Sequence, residues 1–115
     1  MAVDIVKNAE WILELEQFLE KVRPPEEIRD KLDIGYKIIN QSVIIHEIRP
    51  LWTNPKRKIE PEVAKATYIK DKNHWKVFWL RSNLKWYIYE ANPIVSELSD
   101  FLKLVEEDSH GCFWG

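Results

Sequence analysis

A chain of 115 residues, 45% hydrophobic and 12% aromatic, can build one real core, and its 31% charged fraction argues against disorder. No apolar run approaches the roughly 20 residues of a membrane span, and the opening residues, Met1 to Asn8, lack the basic-then-apolar order of a secretory signal. The net charge of −2 hides a segregation: residues 1–34 carry five basic and nine acidic side chains, residues 35–90 eleven and five, and residues 91–115 one and five.

Helical periodicity dominates the start of the chain. Ile5, Ile12, Leu15, Leu19 and Val22 fall at three- and four-residue steps, with Trp11 and Phe18 widening the stripe. This predicts a helix over 4–22 with Asp4 at its cap. Pro24-Pro25 ends it, because proline disfavours helical geometry in the residue before it. Pro25-Glu26-Glu27 predicts a short second helix to about Lys31. The period then changes to two, with Leu32, Ile34, Tyr36 and Ile38 alternating with Asp33, Gly35 and Lys37. A strand is predicted over 32–38, a tight turn at Asn40-Gln41, and a returning strand over 42–49. Residues 50–61 read as the longest irregular segment, with three prolines, Trp52 and the basic run Lys56-Arg57-Lys58. Further strands are predicted over 63–70, 75–81 and 85–89, joined by turns at Asp71-Lys72-Asn73 and Ser82-Asn83. Such short connections make consecutive strands antiparallel neighbours. Asn92-Pro93 predicts the opening of a last helix, with Ile94, Leu98, Phe101, Leu102 and Val105 on its apolar face. The tail from Ser109 is apolar enough to dock, with Phe113 and Trp114 closing the second face of the sheet. The expected fold is α+β in a single domain over 1–115: a mostly antiparallel sheet of about five strands packed against an N-terminal and a C-terminal helix.

Several pieces read together. They are Arg23-Pro24-Pro25, Gln41-Ser42-Val43, Glu47-Ile48-Arg49-Pro50-Leu51-Trp52, Ala64-Lys65-Ala66, Trp75-Lys76-Val77-Phe78-Trp79, Leu84-Lys85-Trp86 and the ending His110-Gly111-Cys112-Phe113-Trp114-Gly115. In this order and spacing the chain resembles the bacterial family catalogued as domain of unknown function 3024, over nearly its whole length. The resemblance implies a small stand-alone bacterial protein. It implies no activity, so it assigns no residue a role.

The stretch from His74 to Glu90 is where a function has to sit. It holds Trp75, Phe78, Trp79, Trp86, Tyr87 and Tyr89, threaded by Lys76, Arg81 and Lys85. At strand period both faces carry large rings, and a sheet apolar on both sides is covered twice or binds something. One reading is an internal core, with Arg81 paired to Glu47. A second is a homodimer that buries one aromatic face. A third is single-stranded nucleic acid, its bases stacked on rings and its phosphates held by cations. The ligand-binding candidates are Arg49, Lys65, Arg81 and Lys85 for charge, and Trp52, Trp79 and Tyr87 for stacking. The basic centre suits a polyanion. Attraction between basic strands and acidic helices within the fold is the simpler reading, because the pI near 5.9 lies far below the range of dedicated nucleic-acid binders.

Catalytic patterns are sparse. His46, His74, His110 and Cys112 lack the spacing of a zinc site, and no metal ligand is assigned. Cys112 with His110 sits at the chain end, where a small packed thiol is the simpler reading than a nucleophile. With only Gly35, Gly111 and Gly115, no nucleotide-cradling loop exists and no cofactor is expected. Glu62 and Lys65 are three apart, which on a regular strand puts them on opposite faces. The alternative to a non-catalytic binding domain is an enzyme acting on RNA or DNA. It takes the form of a metal-dependent nuclease needing Glu47 beside Lys65 on one open face, or a toxin-like protein using Arg49, Lys65, Arg81 and Lys85 on phosphate. A single cysteine and an opening without the pattern of a secretory signal point to the cytoplasm, with a protein partner or single-stranded nucleic acid as the occupant of the aromatic surface.

Overall fold

A computed structural model of the protein describes residues 5–114, with side chains from Val6 onward. Two helices and seven strands form an α+β fold whose strands pair antiparallel throughout. Helix α1 runs Ile5–Val22 and helix α2 Leu98–Glu107. The strands are β1 Asp33–Ile39, β2 Ser42–Leu51, β3 Asn54–Ile59, β4 Glu62–Ile69, β5 His74–Leu80, β6 Trp86–Ile88 and β7 Ile94–Val95. The main sheet is ordered β1-β2-β4-β5-β6, with β3 on β2 and β7 on β5. The two extra strands raise the count above the five expected.

Alternation divides the sheet into two faces. Val43, Ile45, Ala64, Ala66, Tyr68, Trp75 and Val77 point to one side and are buried there with Trp11, Leu15 and Phe18 of α1 and Leu98, Phe101, Leu102 and Val105 of α2. Ala64 and Ala66 leave room on β4 for α2 to approach, and α2 packs over β4, β5 and β7. Trp11, Tyr68 and Trp75 form a ring cluster with centroids 4.6 to 5.7 Å apart. Each such burial stabilises by about 1.5–3 kcal/mol. Both helices lie on this side, and the opposite face, with Ile44, Lys65, Phe78, Trp86 and Ile88, has none over it.

Four predicted elements are corrected. In α1 the buried residues are Trp11, Leu15 and Phe18, while Ile12 is exposed, so the contact stripe is rotated toward the large rings. The caps proposed from Asp4 lie outside the described residues. The segment after Pro24-Pro25 closes into a single 3-10 turn, Glu26–Ile28, in place of a helix to Lys31. Residues 50–61 are not irregular: Trp52-Thr53 turns and β3 returns along β2. The last helix does not open at Asn92-Pro93. Ile94 and Val95 pair with Lys76 and Trp75, whose edge backbone groups would otherwise lack partners. The helix starts at Leu98, where the carboxylate of Asp100 accepts a hydrogen bond from the N–H of the cap residue Glu97 at 3.1 Å. Asn40-Gln41 does make the tight turn, with Asn40 in left-handed geometry at φ 53°.

The tail docks. The carboxylate of Asp108 accepts from the N–H groups of Phe113 and Trp114 at 3.1 and 2.9 Å, and the Trp114 indole donates to the Val105 carbonyl at 2.8 Å. Phe113 is buried against Tyr89, ring centroids 4.9 Å apart. It therefore extends the helix-side core and leaves the second face of the sheet uncovered.

Candidate functional site

The hairpin from β5 to β6 brings three of the sequence candidates together. Trp79 faces Tyr87 across the register, and Arg81 follows at the end of β5 on the same side. The Arg81 guanidinium carbon lies 5.4 Å from the Trp79 ring centroid and 4.7 Å from that of Tyr87. The hairpin turn fixes this: the Arg81 N–H donates to the Lys85 carbonyl at 3.1 Å and the Leu84 N–H to the Arg81 carbonyl at 2.8 Å. Leu84 takes a left-handed conformation, φ 63°, to close it. Asn83 donates to the Tyr87 hydroxyl at 2.9 Å. Lys85 stands exposed beside the stack.

This corner borders a cleft of about 540 Å³ lined by Trp79, Arg81, Tyr87, Tyr89, Glu90 and His110 among others. Such a size suits one small group or one nucleotide unit. Among the described residues Arg81 takes part in no ion pair, and the pairing with Glu47 that the internal-core reading offered is not made: Glu47 accepts both hydrogen bonds of Arg49, at 2.8 and 3.2 Å. Burial, with Asp108 beside it, pushes the Cys112 thiol up, so it stays protonated at neutral pH.

The other candidates lie elsewhere. Lys65 is on the uncovered face, its ammonium 4.8 Å from the Phe78 ring and 5.0 Å from that of Trp86. Burial lowers its pKa, partly offset by Glu62. Arg49 and Trp52 sit at the far end of the β2–β3 hairpin. Glu62 and Lys65 share a face after all. In the register with β2, Glu62 faces His46 and Lys65 faces Ile44, with Val63 bulged between the paired positions. Glu62 there pairs with Lys37 at 3.2 Å. Glu47, three positions from Ile44 on β2, alternates to the opposite face from Lys65, so the pair required for nuclease chemistry is not brought together. Among the described residues no three His, Cys, Asp or Glu side chains gather closely enough to hold a metal ion. No helix among them is long and apolar enough to cross a membrane.

Sequence reasoning missed Gly35. A Cβ there would meet the His46 ring at 2.9 Å. That ring is buried, and its Nδ1 lies 3.0 Å from the Glu47 carbonyl oxygen. The signal was the glycine in an otherwise alternating strand.

Fold and site together define a small α+β domain with a helix-covered sheet and a cation–aromatic corner at one end. The chain belongs to the family described as a domain of unknown function (DUF3024), whose model matches residues 4–115. No curated protein matches the chain, and no solved structure does.

Proposed function

We propose that the protein is a non-catalytic binding module that holds single-stranded nucleic acid at the Trp79–Arg81–Tyr87 corner, with Lys85 beside it, in the bacterial cytoplasm. One observation carries this reading: an arginine laid over two rings, in no ion pair among the described residues, at the mouth of a cleft. Ring contact orients the guanidinium and leaves its N–H edge for a phosphate. Tyr87 adds a surface on which a base stacks. The charge distribution supports it, since no ion pair among the described residues joins a cation of residues 35–90 to a carboxylate of either helix. The basic surplus of the strands is thus not consumed by the acidic helices. The single half-buried cysteine supports the cytoplasmic setting.

The test is anisotropy of a labelled single-stranded oligonucleotide. Arg81→Ala with Lys85→Ala is expected to weaken binding by at least about tenfold at unchanged melting temperature, since each phosphate contact contributes both affinity and salt dependence. Unfolding of that variant would return the corner to the core, and unaltered binding would place the ligand elsewhere.

A second reading has its own observation. On the uncovered sheet face Ile39, Ile88 and Ile94 are 51%, 41% and 50% exposed beside half-buried Phe78 and Trp86. A homodimer would cover them. Sedimentation should then show a dimer that Ile88→Glu dissociates, and a monomer at all concentrations would dismiss it.

A further inference from the structure

Beyond the corner, the β2–β3 hairpin is a second and separate feature. β2 is paired with β4 only as far as His46 and with β1 only as far as Ile48. From Arg49 to Leu51 its remaining partner is β3, through Arg49–Ile59, Pro50–Lys58 and Leu51–Asn54. The end of the hairpin is therefore a two-stranded ribbon extending past the sheet, by roughly 10 Å at the usual rise per residue. All of β3 is exposed, and Trp52 at its tip is 89% exposed.

Residues 49–59 hold Arg49, Lys56, Arg57 and Lys58 and no acid. Two of these cations brace the base of the ribbon. Arg49 bonds Glu47, and the Lys58 ammonium donates to the Asp30 carbonyl at 2.6 Å. Lys56 and Arg57 lie where the register jumps between Pro50 and Leu51, so residues 55–57 have no facing partner on β2 and form a bulge. No ion pair among the described residues uses their charges. Pro50 and Pro55 lack N–H donors, which makes the ribbon a poor template for a further strand. That disfavours a protein partner docking by sheet extension, and the acid-free cluster of cations favours a polyanion.

We propose that this ribbon is an arm that enters a groove of double-stranded DNA, with Lys56 and Arg57 on phosphates and Trp52 against the base edges or steps. A two-stranded ribbon fits the B-form major groove, about 12 Å wide, and apolar tips wedge between base steps in the minor groove. The deep, narrow major groove of A-form RNA does not admit such an element.

The experiment uses the full chain with a labelled duplex of about 20 base pairs and, separately, a single strand of the same length, near 50 mM salt where phosphate contacts are strongest. Two variants are compared, Lys56→Ala with Arg57→Ala, and Trp52→Ala. All three side chains are exposed, and unchanged melting curves verify the fold. Duplex affinity is expected to fall at least fivefold in each. The slope of log affinity against log salt should flatten by about 1.8 in the double variant, the value for two lost phosphate contacts. Lys72→Ala, at an exposed cation in the β4–β5 turn that belongs to neither the ribbon nor the corner, should leave duplex binding within about twofold. Absence of duplex binding, variants that bind duplex as well as the parent does, or equal losses on single strand and duplex would each overturn the proposal.

Discussion

At the scale of single residues, the corner depends on a turn held against conformational preference. Leu84 is 78% exposed and sits at φ 63°, a region that costs an L-residue roughly 1–2 kcal/mol. Its side chain returns little packing for that cost. Leu84→Gly should raise stability by up to about 1 kcal/mol in urea titration, net of the added freedom of the unfolded chain; a loss would mean the side chain packs more than its exposure implies. Asp33 offers a pH-dependent counterpart. Both its oxygens accept from Arg23, at 2.8 and 2.6 Å, and this pairing holds its pKa below the usual aspartate value. A lowered folded-state pKa contributes stability above the unfolded value, near 3.9, that is lost as pH falls through the folded value. The stability of Asp33→Asn relative to the parent should thus improve as pH drops from about 5 to below 3, read from paired thermal melts. A constant difference across that range would refute the linkage. Which residues meet was partly legible: Trp79 and Arg81 at two-residue spacing share a strand face, and Tyr87 returns opposite Trp79. The alternation rule failed at Glu62 and Lys65 because a bulge at Val63 adds a residue that no local pattern announces.

At the scale of elements, long stretches of clear period were readable and places decided by edge pairing were not. Helix α1 and strands β1, β2, β4 and β5 follow from periods of 3.6 and two. Strands β3 and β7 carry little strand pattern, two residues in the latter case, and exist because neighbouring backbone groups need partners. Gly35 marks a closeness that sequence shows only as a missing side chain. Gly35→Ala should cost about 1–3 kcal/mol, since the buried His46 ring must move to admit a methyl group. Calorimetry showing no loss would mean the ring swings out freely. The tail behaves as an element of the core. Phe113→Ala should cost about 3 kcal/mol or more, and removal of residues 111–115 should lower the melting temperature markedly, because Asp108 then loses both N–H donors as well. An unaltered melting curve after truncation would contradict docking.

At the scale of the whole molecule, 45 × 30 × 25 Å in extent, the sheet is covered on one side, bordered by a cation–aromatic corner at one end and extended by a basic ribbon. The sequence announced two apolar faces, and Trp75 and Val77 did go to the core while Phe78 and Trp86 stayed on the uncovered side. Which face the helices choose depends on α1 and α2 packing onto the small residues of β4, a tertiary fact that strand period cannot express. The charge segregation was visible from the start, but its meaning required seeing that, among the described residues, no ion pair joins the helices' acids to the strands' cations. The central claim is that this surplus serves a single strand of nucleic acid at Arg81. The most direct test is a salt-dependent titration of a single-stranded oligonucleotide against the parent and Arg81→Ala, read by tryptophan fluorescence. The account predicts a quench in the parent that weakens steeply with salt, and in Arg81→Ala a weaker quench with a slope flatter by about 0.7, one phosphate contact on a single strand. A quench identical in both proteins, or none in the parent, would contradict it.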